Sequence, residues 1–215
     1  AQESRGLGDV YKRQQKFPEI NDYISESSTP MIYTGLQLKK KDPNCEITFI
    51  GPCISKKLEA LEPEVAEVID FVITYEELLG MFLAKGIEPS EIEVDEIMMD
   101  ASETGRNYAN SGGVAEAVVR RAKEIKPDIE VDVEGAEGLG NCVKLAQMAK
   151  LGRMDGKLIE GMACQGGCVG GPGVVIAENK TGKAVKAFAK ASEFKSPADN
   201  IHIPKQDRPN DEILK

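Results

Sequence analysis

Residues 158–173 read Leu158-Ile-Glu-Gly-Met-Ala-Cys164-Gln-Gly-Gly-Cys168-Val-Gly-Gly-Pro-Gly173, and this stretch decides the expected fold. An apolar run predicts a buried strand over 158–163, which leads directly into a loop with two cysteines and five glycines. Glycine adopts positive φ and carries no Cβ, so such a loop lets the backbone approach a bulky inorganic group. Successive backbone N–H groups can also face anionic atoms. The pattern therefore favours a metal or iron–sulfur site at the end of a strand.

Other kinds of glycine-rich loop fit less well. A phosphate-binding loop carries Gly-Lys-Ser/Thr at its end, whereas Val174 and Val175 follow Gly173 here. A zinc site uses Cys-x-x-Cys pairs or histidines, and the chain has a single histidine, His202, which we expect to be solvated in the tail. A purely structural turn stays open on spacing alone.

A second cysteine motif spans residues 49–59, Phe49-Ile-Gly-Pro-Cys53-Ile-Ser-Lys56-Lys57-Leu-Glu59. The run 46–50 predicts a buried strand that ends at the Gly-Pro turn, and a helical stretch follows. Near a helix N-terminus the dipole lowers the pKa of a thiol, and the thiolate is the form that binds metal. Lys56 opposes that dipole, so it needs an anionic partner. Taken alone, the motif also fits a buried Cys53 beside a solvated Lys56.

The rest of the chain alternates between strand-like and helical segments. Further strands are predicted over 71–74 and 129–133, and helices over 17–38 with a polar break, 75–85, 114–125, 139–149 and 181–191, whereas 87–110 looks irregular. This alternation predicts an α/β fold with mostly parallel sheets flanked by helices. Ligands of such folds bind at the carboxyl ends of strands, where Cys53 and Cys164 both lie.

The composition excludes several classes of function. A net charge of -9 and a pI near 4.9 disfavour a nucleic-acid partner, and no basic cluster with interleaved aromatic residues occurs. No apolar run approaches the roughly 20 residues that span a bilayer, and the polar first residues do not form a secretory signal. The five cysteines are an odd number, which argues against a disulfide framework. We expect a cytoplasmic protein that binds neither nucleic acid nor membrane.

Together, the two cysteine motifs resemble the second and third signature motifs of the [FeFe] (iron-only) hydrogenase family, in its catalytic H-cluster domain. The second motif has the form Pro-Cys-x-x-Lys-x-x-Glu, matched here over residues 52–59. The third has the form Glu-x-Met-Ala-Cys-x-x-Gly-Cys-x-x-Gly, matched over residues 160–171. Weaker landmarks occur in the family's order at 70–78, 111–117 and 138–141. The resemblance covers about 17–173 and implies a two-lobed hydrogenase-like domain.

The resemblance implies a [4Fe–4S] cluster joined to a diiron subsite that carries CO, cyanide and a bridging dithiolate. Cys53 and Cys164 match cysteines that bind the cubane, and Cys168 matches the cysteine that bridges the cubane and the diiron subsite. Lys56 matches a lysine that hydrogen-bonds a diiron cyanide, and Met162 matches a methionine packed near the diiron unit. Ser25 aligns less closely with a serine of the proton relay, and it fits a turn or a helix cap equally well.

We expect three segments along the chain. Residues 1–14 resemble translated adapter sequence from DNA library preparation, although an ordinary disordered tail has a similar composition. Residues 15–196 form the partial H-cluster domain, and 197–215 form a polar tail. The family's first motif, with its adjacent cysteines, should lie just before Phe17, so we expect the domain to be incomplete at its N-terminus. Cys45 and Cys142 look structural.

The expected function is the reversible reduction of protons to H2, with a ferredoxin-like electron donor or acceptor and hydrogenase maturation proteins as partners. Gly51 replaces a common methionine and Gln165 a frequent proline, as in the divergent branch of the family linked to H2 sensing. The alternative is an iron–sulfur scaffold or assembly protein without H2 chemistry, against which Lys56 argues. A third hypothesis is that the chain as given binds nothing and is inactive.

Overall fold

The computed structural model describes residues 17–25, 27–93 and 100–200. Its strands are β1 (Thr48–Ile50), β2 (Phe71–Ile73), β3 (Asp132–Glu137) and β4 (Lys157–Met162). Its α-helices are α1 (Pro30–Lys41), α2 (Ser55–Glu59), α3 (Pro63–Ala66), α4 (Tyr75–Ala84), α5 (Glu103–Asn107), α6 (Gly113–Ile125), α7 (Leu139–Lys150) and α8 (Glu178–Lys190). Short 3-10 helices lie at Pro18–Tyr23, Pro89–Glu91 and Cys168–Gly170. The segment 1–14, His202 and residues 201–215 of the predicted tail lie outside the described residues.

The strands form two parallel pairs. β1 pairs with β2 from Thr48↔Phe71, and β3 pairs with β4 from Asp132↔Lys157. Helices provide the crossovers that parallel strands require: α2 and α3 connect the first pair, and α7 connects the second. The predicted α/β class with parallel sheets flanked by helices is confirmed. The carboxyl ends of β1 and β4 lead into the two cysteine motifs.

An apolar core supports the first strand pair. Its buried side chains come from α1, the residue before β1, and the turn around α3: Met31, Ile47, Val65, Val68 and Ile69. Gly35 lets α1 approach this turn, because a Cβ there would lie 2.7 Å from the Val68 side chain and 2.8 Å from that of Ile69. Burial of each such side chain contributes roughly 1.5–3 kcal/mol. This core fixes β1 and the turn that follows it.

The second strand pair is covered by α6 and α7. The buried apolar side chains there are Val114, Ala115, Ala117, Leu145 and Met162. α6 starts after Gly112, whose φ of 84° lies in the left-handed region that favours glycine. The N-terminus of α6 faces β4, so the strand that leads to Cys164 is held from that side.

Three predictions of local structure were wrong. The strand over 46–50 was expected to be buried, but Thr48 and Ile50 of β1 are exposed. β3 runs over 132–137 rather than 129–133, because its ladder to β4 sets its limits and Lys157 pairs with Asp132 at 3.0 Å and with Glu134 at 3.5 Å. The segment 87–110 is not wholly irregular, since it contains α5. The Ser102 hydroxyl caps that helix by accepting from the Gly105 N–H at 3.1 Å.

The first residues of the predicted tail contact the rest of the domain. Asn200 is buried and its side chain donates to the Asp100 carbonyl, so the first residues after 196 pack against the domain.

No helix within 17–25, 27–93 and 100–200 combines the length and the apolar character needed to cross a membrane.

Candidate metal centre

The two cysteine motifs meet backbone to backbone. The Gly173 N–H donates to the Pro52 carbonyl at 2.9 Å, and the Glu76 N–H donates to the Gly173 carbonyl at 3.2 Å. A Cβ on Gly171 would lie 2.7 Å from the Pro52 carbonyl oxygen, so only glycine fits this contact. The loop after β4 therefore rests on the turn that carries Cys53.

The glycine-rich loop is also attached to the segment before α6. The Ser111 N–H donates to the Gly166 carbonyl at 2.9 Å, and the Val169 N–H donates to the Ala109 carbonyl at 3.1 Å. Gly167 has a φ of 93°, and a Cβ there would lie 2.5 Å from the Ser111 nitrogen. The positive φ predicted for this loop is confirmed at Gly166 and Gly167, and the close contacts shown are with the protein's own backbone.

The three predicted cysteine ligands lie close enough to interact electrostatically. All three are half-buried free thiols. Burial, followed by the charges of Cys53 and Cys164, raises the pKa of the Cys168 thiol to about 11. Burial and then the charge of Cys53 also raise the pKa of Cys164. Residues more than a hundred positions apart in the sequence thus share one site, and thiolates here would gain from cationic irons.

Lys56 is buried, and its charge acts on one of these thiols. Its Nζ donates to Glu59 at 2.6 Å, and the Thr29 hydroxyl donates to the other Glu59 carboxylate oxygen at 2.8 Å. Lys56 is 9% exposed, Glu59 2% and Thr29 0%. The positive charge of Lys56 lowers the pKa of Cys168, against the larger effect of burial. The anion expected for Lys56 is therefore Glu59, and because an ammonium has three donors, Lys56 can serve more than one acceptor.

Met162 and Ser25 occupy different settings. Met162 is buried at the last residue of β4, and its carbonyl accepts from the Gly138 N–H at 2.9 Å. Ser25 is half-buried, and its Oγ accepts from the Ser27 N–H at 3.2 Å, which is a local turn contact. Its assignment to a proton relay stays a prediction.

Two side chains near the site received no role from the sequence. Glu160, on β4, is 4% exposed. One carboxylate oxygen accepts from the Ala115 N–H at 3.3 Å, and the other has no hydrogen-bond partner among the residues that the structure describes. Burial raises the pKa of Glu160. Burial and then the charge of Cys168 raise the pKa of Tyr75, the first residue of α4. The motif match at Glu160 could have indicated a buried carboxyl, whereas Tyr75 had no local signal.

The other two cysteines make contacts with the core and with backbone carbonyls. Cys45 packs against the core of the first strand pair. The Cys142 thiol donates to the carbonyls of Met162 at 3.4 Å and of Ala136 at 3.6 Å. Both contacts are structural, as the sequence predicted.

The donor set fits an iron–sulfur cluster better than a single metal ion. No three His, Cys, Asp or Glu side chains converge on one point within the described ranges. A cubane takes one thiolate for each iron, so its ligands stand apart around it. Three interacting thiols and a buried ammonium fit such a group. Among the described residues, Cys53, Cys164 and Cys168 would supply three of the four thiolates that a cubane takes.

The fold is that of solved [FeFe]-hydrogenases. A variant of the [FeFe]-hydrogenase HydA1 from Chlamydomonas reinhardtii superposes with a TM-score of 0.65 at 21% identity, over 91% of this chain and 67% of that chain. At this identity the likeness bears on fold alone.

Relatives of two kinds are similar in sequence. The periplasmic [Fe] hydrogenase large subunit of Nitratidesulfovibrio vulgaris is 30% identical over 77% of this chain and 50% of its own length. The cytosolic Fe-S cluster assembly factor narfl of Xenopus tropicalis is 28% identical over 76% of this chain and 44% of its own length. The chain spans half or less of the length of these curated relatives.

A family model covers most of the sequence. The model described as iron only hydrogenase large subunit, C-terminal domain, matches residues 10–172. This match includes β1 to β4 and the three cysteines whose thiols interact. The chain therefore belongs to the family formed by the C-terminal domains of iron-only hydrogenase large subunits.

Proposed function

We propose that the full-length protein is an [FeFe]-hydrogenase-type oxidoreductase that interconverts protons and H2. The observation that carries the proposal is the buried Lys56, whose charge acts on Cys168 within the site. A cluster with thiolate ligands is itself anionic, so the Lys56 charge favours it, and a diiron subsite with cyanide adds a further anionic acceptor for the same ammonium. An ammonium in this position suits a site that also holds anionic ligands such as cyanide.

The chain's own residues would hold and orient the cofactor. Cys53, Cys164 and Cys168 would bind a [4Fe–4S] cluster, with Cys168 also facing a diiron subsite that carries CO, cyanide and a dithiolate. When bound, this cofactor supplies the exchange of electrons and protons with H2. Lys56 would donate a hydrogen bond to an anionic ligand, and its hydrogen bond to Glu59 would fix the orientation of its side chain. Met162 would pack beside the diiron unit, and Ser25 would accept and pass on a proton.

The proposal also names partners. A ferredoxin-like protein or domain would exchange electrons with the cluster, and hydrogenase maturation proteins would deliver the diiron subsite. We place the activity in the cytoplasm, as for the relative named a cytosolic factor, although the Nitratidesulfovibrio relative is named periplasmic. Fractionation of the source cells and immunoblotting tests this location, and recovery with periplasmic markers would contradict it.

A divergent, H2-sensing role with slow turnover fits the site's departures from the common motif. Gly51 is buried, and a Cβ there would lie 2.8 Å from the Phe49 ring. The ring therefore occupies the space into which the methionine of the common form would project. We take the changed packing beside Cys53 as support for slow turnover.

The second candidate function is iron–sulfur cluster assembly without H2 chemistry. Its support is the similarity to the relative named a cytosolic Fe-S cluster assembly factor. This candidate requires only the cubane cysteines, and it leaves Lys56 to its ion pair with Glu59. The two candidates therefore differ in whether a diiron subsite is present.

Infrared spectroscopy of the full-length protein, expressed with maturation proteins, decides between them. Bound CO and cyanide absorb where the protein does not, so their bands report a diiron subsite independently of activity. We expect these bands in the wild type and their loss in Lys56→Met, with the iron and sulfide of the cubane retained. A cubane without the bands in the wild type would replace the first candidate with the second. Lys85→Met, on an exposed lysine, is the matched control.

A further inference from the structure

A cavity lies between the 3-10 helix Pro18–Tyr23, α7, β4 and the turn that joins α7 to β4. Its volume is about 270 Å³, and most of its wall is apolar. The apolar side chains of the wall come from all four segments: Ile20, Leu145, Ala146, Ala149, Met154 and Ile159. None of the three predicted cluster ligands lines it, so the cavity is separate from the candidate metal centre.

The size and character of the cavity favour a small apolar molecule. A dry apolar cavity of roughly 150 Å³, lined by Leu, Ile and Phe, is large enough to bind benzene. The cavity here has room for one aromatic ring with a short chain attached. Ligand pockets usually combine apolar walls with a few polar groups that fix the orientation of the ligand. The polar groups on the wall therefore indicate the chemistry of the ligand.

The charged groups at the rim leave an excess of negative charge. Lys157 and Asp155 both line the cavity. The Lys157 ammonium already contacts two carboxylates, Asp132 at 3.0 Å and Glu134 at 3.5 Å. Asp155 is exposed, and no cation of the residues that the structure describes lies within ion-pair distance of it. An anionic ligand would be repelled here, whereas a cationic ligand would meet a complementary carboxylate.

The 3-10 helix covers one side of the cavity and is weakly attached. Ile20 is buried, whereas Tyr23 is 73% exposed. The Lys150 ammonium donates to the Glu19 carboxylate at 2.6 Å, which joins this helix to α7. Both side chains are about half exposed, and exposed pairs of this kind stabilise little and weaken with salt. The helix can therefore move aside at little cost and admit a ligand.

We infer that this cavity binds a small aromatic amine. The ring would lie against the apolar wall, and the ammonium would lie at the rim and donate to Asp155. Removal of the ring from water would provide most of the affinity, and the carboxylate would select an amine over an acid of similar size. The inference is independent of the proposed function, because no predicted ligand of the cluster takes part.

The test measures binding of phenethylamine to the full-length protein by isothermal titration calorimetry. Phenylacetate, which carries the same ring and the opposite charge, is the comparison. We expect the amine to bind more tightly by roughly 5-fold or more, since repulsion from Asp155 replaces an exposed charge pair. Cys142 provides a second readout because it lines the cavity, so the amine should slow its alkylation by N-ethylmaleimide. Alkylation of Cys45, in the core of the first strand pair, should not change.

Two variants, each with a matched control, test the wall and the rim. Ala146→Phe places a ring inside the cavity and should weaken binding roughly 10-fold or more, because the ligand loses its contacts with the wall. Gln147→Phe adds the same ring at an exposed position of α7 outside the cavity and should not. Asp155→Asn should weaken binding by roughly 2- to 5-fold, the range of an exposed charge pair. Asp128→Asn makes the same change of charge at an exposed position outside the cavity.

A wild type that does not bind the amine, as when another part of the full-length chain fills the cavity, would overturn the inference. Phenylacetate that binds as tightly as the amine would overturn it too, as would equal affinities of Ala146→Phe and Gln147→Phe. If circular dichroism shows that Ala146→Phe does not fold, the two aspartate variants decide, and equal affinities there refute the contact at the rim. Iron and sulfide content tests the proposed function separately, and a chain that binds the amine without any cluster keeps only this site.

Discussion

The two strand ends that carry cysteines are built differently. After β1, Cys53 is followed by the short helix α2, where Lys56 and Glu59 form a buried ion pair that Thr29 completes. After β4, Cys164 and Cys168 lie in a loop whose form comes from glycines and backbone hydrogen bonds. After β1, side chains bring charges to the site. After β4, glycines allow close contacts between backbone segments.

This difference predicts how substitutions in each region destabilise the protein. At the first strand end, the damage comes from a charge left buried without its partner. At the second, it comes from backbone strain and from Cβ atoms with no room. The cysteines themselves are common to both regions, so their loss should affect cluster binding first.

The largest effect is expected from Cys168→Ala. Loss of a thiolate ligand should weaken cluster binding roughly 100-fold or more, beyond the 10- to 100-fold typical of groups that only orient ligands. Cys45→Ala is the matched control, because Cys45 packs against the core of the first strand pair. Iron and acid-labile sulfide are measured per chain after anaerobic reconstitution. Equal cluster content in the two variants would show that Cys168 is not a ligand.

Next in size is Glu59→Leu, which leaves Lys56 buried without its partner. We expect a loss of roughly 3–5 kcal/mol in the free energy of unfolding, since breaking a buried pair costs more than removing it. The double variant Lys56→Met/Glu59→Leu should recover most of that loss. Urea denaturation of both proteins measures the difference. A double variant as unstable as the single one would mean that the loss of stability does not come from the unpaired charge of Lys56.

A smaller loss is expected from Gly167→Ala at the second strand end. At a φ of 93° an alanine is strained by roughly 1–3 kcal/mol, before the contact with the Ser111 nitrogen is relieved. Gly140→Ala is the control, because that glycine lies in α7 and a Cβ there meets nothing within 4 Å. It should gain up to about 1 kcal/mol from helix propensity. Thermal unfolding that ranks the two variants in the opposite order refutes this account of the loop.

The smallest effect concerns Glu77, which pairs with Lys57 across the first strand end and caps α4. The Lys57 ammonium and then the Thr74 N–H lower the pKa of Glu77 from 4.5 to about 2. A lowered folded-state pKa stabilises the fold above pH 4.5, and that contribution is lost as the pH falls through about 2. Glu77→Gln should therefore flatten the stability profile between these values. An unchanged slope in calorimetry over this range would contradict the pairing.

The sequence predicted features that depend on local pattern. The helices over 75–85 and 139–149 were expected from apolar spacing, and Gly86 was expected to end α4, which its φ of 67° confirms. The limits of β3 were wrong because pairing with β4 sets them, and no local pattern shows which charges Lys157 will meet.

The same division holds within the site. The spacing of Cys164 and Cys168 led to the prediction of a ligand loop, whose positive φ is confirmed and whose ligand role stays a prediction. The contact of Thr29 with Glu59 joins residues from separate elements, and the buried oxygen of Glu160 depends on the approach of α6. Packing of this kind is non-local, so a single sequence does not show it.

The hydrogen bond from Gly173 to Pro52 bears on the order in which the chain folds and receives its cofactor. It joins positions roughly 120 residues apart, and the entropy of closing so long a loop is met when the chain folds. Insertion of a cluster then needs only local adjustment of three thiols that already interact with one another. We therefore expect an already folded polypeptide to receive its cluster after synthesis, with little further loss of conformational entropy.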